Sequence, residues 1–117
     1  MKVIDYTRQE FVSSCGETQQ FSAFARLSKS ELSQQLKIYG ITLKSFSKGH
    51  FEWSAVLEKD GKYIYVRMSD VRYTFNWYDG VLIRTMKHAS DYIGGDNHFC
   101  SFNEIGQTAH KMFQRGY

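Results

Sequence analysis

The stretch "FEWSAVLEKDGKYIYVRM", residues 51–68, decides the fold. Asp60-Gly61 is the strongest short-range signal for a two-residue β-hairpin, because a type I′ turn needs positive φ at both central residues. With those two at the turn, Lys59 faces Lys62 and the register follows: Leu57 opposite Ile64, Ala55 opposite Val66, Trp53 opposite Met68. All three pairs are apolar, so the turn chemistry and the period-2 pattern specify one register and one buried face. The other face then carries Ser54, Val56, Tyr63, Tyr65 and Arg67. Two tyrosines and an arginine on a sheet can stack nucleobases. They are also ordinary strand residues half-covering a second face, and Glu52 and Glu58 beside them repel a phosphate backbone.

On the N-terminal side of the hairpin, Ile41 and Leu43 alternate with Thr42 and Lys44 and predict a further strand. Before it come two capping boxes, a Ser or Thr followed three residues later by Glu: Thr7 with Glu10, and Ser28 with Glu31. The first predicts a short helix over 8–14 ended by Gly16. Phe21, Phe24 and Ala25 suggest a second helix over 17–26. The Ser28 box predicts a third over 29–39, with Leu32, Leu36 and Tyr39 at helical spacing and Gly40 in the left-handed position after it.

On the C-terminal side, "SDVRYTFNWYDG" mixes aromatics with turn residues, and "VLIRTMKH" reads equally as a strand or a buried helical turn. Gly94-Gly95-Asp96-Asn97 reads as a flexible loop. A further capping box, Ser101 with Glu104, opens a terminal helix whose Phe102, Ile105, Ala109, Met112 and Phe113 make an apolar stripe. The architecture expected is α+β: N-terminal helices, a three- to four-stranded antiparallel sheet, and a C-terminal helix packed on it.

At 117 residues the chain has the length of one domain, 1–117, and its 42% hydrophobic content supplies one packed core. No stretch approaches the roughly eighteen apolar residues of a membrane span, and "MKVIDYTRQE" carries no export or transit pattern, which points to the cytoplasm. The net charge of +3 disfavours a strongly acidic, DNA-mimicking surface, and a pI near 8.9 with interspersed charges falls short of a dedicated nucleic-acid binder. Cys15 and Cys100 are far apart, in no Cys-x-x-Cys spacing, and read as small buried thiols. Proline is absent, which argues against a Pro-rich linker.

The stretch "LIRTMKHASDYIGGDNH", residues 82–98, concentrates the chemistry. His88, Asp91 and His98 are metal-ligand types, but their spacing matches no zinc or iron pattern, so no metal or other cofactor is expected. His88 oriented by Asp91, with Arg84 or Lys87 bracing a phosphate, would suit acid-base or phosphodiester chemistry. No nucleophile or phosphate-cradling glycine loop accompanies them, and catalysis is the weaker reading. Arg84, Lys87 and His88 beside a double-glycine loop instead make a compact cationic edge for binding. Arg72, Trp77, Tyr78 and Tyr92 add the residue types that anchor interfaces.

Residues 65–99, about a third of the chain, resemble a segment of small accessory proteins of phages, plasmids and conjugative elements. The matching points are Ser69-Asp70-Val71-Arg72, Leu82-Ile83-Arg84-Thr85, Lys87-His88 and Gly94-Gly95. The resemblance implies a non-enzymatic protein, acting in the cytoplasm of a bacterial host cell, that blocks a host defence complex by protein-protein contact, as anti-CRISPR inhibitors do. Its partner would be a host protein or ribonucleoprotein, such as a CRISPR effector. The alternative from another class is a nucleic-acid-binding or phosphodiester-processing protein using the basic 84–98 loop.

Overall fold

The structure, a computed structural model, describes residues 17–49, 52–69, 81–88, 90–91 and 95–115, with side chains described from Phe24 onward and that of Ser69 excepted. The expected helix 8–14, its Thr7–Glu10 box and Cys15 lie outside these residues. The chain is α+β: helix α1 (Glu17–Lys37), strands β1 (Thr42–Lys48), β2 (Glu52–Lys59), β3 (Lys62–Ser69), β4 (Val81–Met86) and β5 (Asn97–Cys100), a 3-10 turn over Phe102–Glu104, and helix α2 (Ile105–Gln114). The strands form one antiparallel five-stranded sheet in the order β1-β2-β3-β4-β5.

Two helices expected over 17–26 and 29–39 are one continuous helix, α1. Phe24, Ser28, Leu32 and Leu36 recur every fourth residue on a single face, so Ser28 lies in the apolar stripe rather than at a helix start. It is fully buried, and its hydroxyl has no hydrogen-bond partner. The helix ends as Gly40 implies. Gly40, at φ 68°, donates its N–H to the Lys37 carbonyl, and the Ile41 N–H reaches back to the Leu36 carbonyl. This is the Schellman pattern, which satisfies carbonyls the helix would otherwise leave open.

In the β2–β3 pair, Lys59 stands opposite Lys62, Leu57 opposite Ile64, Ala55 opposite Val66 and Trp53 opposite Met68. Asp60 and Gly61 between them have φ of 52° and 79°, the left-handed values such a turn demands. The sheet has one more strand than the upper expectation. Val81–Met86 resolves as a strand, and Asn97–Cys100, within and just after the expected loop, adds the short edge strand β5. β1 runs to Lys48 and contains a bulge between Leu43 and Ser45, which is why Leu43 and Phe46, three apart, both turn towards the core.

Both helices cover the same face of the sheet. Phe24, Leu32, Leu36, Ile105, Ala109, Met112 and Phe113 join Trp53, Leu57, Ile64, Val66, Met68, Val81 and Ile83 in one buried cluster. Trp53, 0% exposed, sits at its centre, stacked on Phe46 and edge-on to Phe102. Gln35 ties the two helices: its amide N donates to the Phe102 carbonyl at 3.0 Å and its amide O accepts the Gly106 N–H at 2.6 Å. A buried side chain touching this many neighbours stabilises the fold by about 1.5–3 kcal/mol over its exposed state. Neither described helix packs on the opposite, outer face of the sheet.

Candidate binding surface on the outer sheet face

Strand alternation sets the outer face residue by residue. Across its middle the register aligns Ser45, Val56, Tyr65, Arg84 and Asn97, and towards one end Ser47, Ser54, Arg67, Leu82 and Phe99. Towards the other end lie Thr42, Glu58, Tyr63 and Met86. Val56 and Met86 are buried, the tyrosines, Leu82 and Arg84 half-buried, and Phe99 on the edge strand is 67% exposed.

Each tyrosine of β3 has a cation at its ring. The Arg84 guanidinium lies 4.8 Å from the Tyr65 centroid, directly across the β3–β4 ladder, and the Lys44 ammonium lies 5.8 Å from the Tyr63 centroid. A cation over an aromatic face is attracted by the ring quadrupole, by about 0.5–1 kcal/mol where water has access. Glu52, one of the two carboxylates of this face, is 2.6 Å from Arg67, so its charge is locally compensated. The ion pair is half-exposed and contributes little to stability.

Of the residues expected to form a cationic edge, Arg84 belongs to the sheet face, whereas Lys87 and His88 follow β4 in an exposed turn. That turn is held by its own polar groups. The Lys87 N–H donates to Asp91 Oδ2 at 2.9 Å, the Asp91 N–H to the His88 carbonyl at 3.0 Å, and the Ser90 N–H to His88 Nδ1 at 3.2 Å. With Nδ1 accepting, the neutral His88 ring carries its proton on Nε2. His98 lies elsewhere, opposite Ile83 on the helix-side face, with its Nε2 buried and without a hydrogen-bond partner. His88, Asp91 and His98 therefore do not converge, and among the described residues no three His, Cys, Asp or Glu side chains could hold a metal ion.

The glycine loop is a tether where it is described. The Asp96 N–H donates to Thr85 Oγ1, and Gly95, at φ 94°, packs so closely that a Cβ there would collide with the Thr85 carbonyl oxygen. Cys100 is half-buried rather than buried. Arg72, Trp77, Tyr78, Tyr92 and Gly94 lie outside the described residues. Sequence reasoning missed Lys44 and Phe99: the first is placed by a bulge and the second by an unrecognised strand.

Among the described residues no helix is long and apolar enough to cross a membrane. Comparison with protein-family models, with curated proteins and with solved structures found no match for this chain.

Proposed function

We propose that the protein is a non-enzymatic binding protein that docks the outer face of its sheet on a macromolecular partner. The observation that carries this is the Arg84–Tyr65 stack at the middle of that face, flanked by Arg67, Leu82 and the exposed Phe99. Tyr and Arg dominate interface hot spots because they combine large contact area with directed hydrogen bonds. An arginine already stacked on a tyrosine loses little further freedom on binding. His88 and Asp91, the residues a catalytic reading needs, are engaged in holding their turn.

The resemblance of residues 65–99 to accessory proteins of mobile elements names the partner class: a host defence complex, with a CRISPR effector as the sharpest candidate. Mixing the protein with a guide-loaded effector and following target cleavage tests this. Stoichiometric loss of cleavage, with the protein co-eluting with the effector, is the expected result. Unimpaired cleavage without co-elution removes the effector as the target.

A further inference from the structure

β3 is the central strand of the sheet, so its outward side chains lie at the middle of the outer face. Tyr63, Tyr65 and Arg67 alternate there with Ile64 and Val66, which point into the core. Arg84 stands opposite Tyr65, and the row through Arg67 continues to Leu82 and the 67% exposed Phe99. Lys44 joins the face at the bulge of β1, with its ammonium 5.8 Å from the Tyr63 centroid. Alternation and register thus put Tyr63, Tyr65 and Phe99 on one face with Lys44, Arg67 and Arg84.

The carboxylates described on this face are Glu52 and Glu58, which its cations outnumber. The repulsion that Glu52 would exert on a phosphate is offset by Arg67, 2.6 Å away. Lys44 is exposed, and no carboxylate is bonded to it. Tyr63 and Tyr65, two residues apart on one strand, are spaced by about 7 Å. That is about twice the 3.4 Å rise of a duplex strand, the spacing of a strand whose bases have come apart. Such splayed bases stack on aromatic rings and on arginine guanidinium planes.

We propose that the outer face binds a single-stranded nucleic acid, its bases stacked on the Arg84–Tyr65 pair and on Phe99 and its backbone drawn to Lys44. This rests on the docking role of the face proposed above and names the chemistry of what the face grips. Charge complementarity selects a phosphate backbone. The rings select a single strand over a duplex, whose bases are already stacked on one another.

The test is fluorescence anisotropy of the full chain with labelled oligo-U and oligo-dT strands and a blunt duplex of equal length, at rising salt. Either strand should bind at least tenfold more tightly than the duplex. Its affinity should fall about sevenfold between roughly 50 and 200 mM salt, as neutralising about two phosphates of a single strand requires. Phe99→Ser should weaken the strand by about fivefold or more, the loss of one stacked base, with an unchanged circular dichroism spectrum. Lys44→Gln should weaken it and also flatten the salt dependence, which a purely structural lysine would leave unchanged. No binding at the lowest salt, equal binding of the duplex, or affinity indifferent to both substitutions overturns the proposal. Failure to bind either strand, with co-elution with the guide-loaded effector intact, overturns this inference alone and leaves the docking role of the face standing.

Discussion

Arg84 stands directly opposite Tyr65 in the β3–β4 ladder, with its guanidinium 4.8 Å from the centre of the tyrosine ring. The pair is half-buried, so its contribution to folding is small. Arg84→Ala should cost about 1 kcal/mol or less in urea unfolding, in line with a cation over a partly wetted ring. A loss above about 3 kcal/mol would make Arg84 a structural cation and remove it from the binding face.

Gly95 and Gly61 separate strain from close packing. Both have positive φ, but a Cβ at Gly61 meets nothing within 4 Å, whereas at Gly95 it meets the Thr85 backbone. Gly61→Ala should cost about 1–2 kcal/mol, the penalty of a left-handed alanine. Gly95→Ala should cost clearly more, because β4 itself must shift. Equal costs in chemical denaturation would mean that the loop yields instead.

Gln35 is the polar joint between the helices, and its two hydrogen bonds cannot be replaced by water without opening the packing there. Gln35→Ala should destabilise by about 1–3 kcal/mol, since it leaves part-buried backbone groups at Phe102 and Gly106 unpaired. Thermal unfolding reads this directly, and a change under about 0.5 kcal/mol would show that the joint is not needed.

Glu104 gives the fold a pH dependence. Hydrogen bonds from the Ser101 hydroxyl and backbone N–H, at 2.8 and 3.2 Å, hold its carboxyl below the ordinary glutamate value. A lowered folded-state pKa means stability present above the unfolded value and lost as pH falls through the folded one. Wild type should therefore lose melting temperature faster than Glu104→Gln on acidification below the ordinary glutamate pKa. Parallel pH profiles for the two proteins would contradict this role.

Legibility in the sequence followed how local each determinant is. Asp60-Gly61 and the alternating apolar residues around it define a register by themselves, as Gly40 defines a helix end. Ser28 misled because a capping serine and a serine inside an apolar stripe have the same local sequence. Only the four-residue recurrence through Phe24, Leu32 and Leu36 tells them apart. β5 has only four residues and no hydrophobic run, so its pairing with β4 is a tertiary fact.

The candidate surface was legible in part for the same reason. Tyr63, Tyr65 and Arg67 share a face by alternation within one hairpin. Arg84 joins them only through the β3–β4 register, across a sequence gap no local pattern spans. The grouping of Arg84 with Lys87 and His88 followed sequence proximity, whereas the strand's pleat and its end divide them between the sheet face and the turn.

Titration of a guide-loaded CRISPR effector with wild type, Arg84→Ala and Lys111→Ala tests the account most directly. Lys111 is an exposed residue of α2, remote in the fold from the outer face. A hot-spot arginine is worth about 2 kcal/mol or more, so Arg84→Ala should bind roughly thirtyfold more weakly while Lys111→Ala matches wild type. Wild-type protein that does not bind, or Arg84→Ala that binds as tightly as wild type, contradicts the claim that this sheet face grips such a partner.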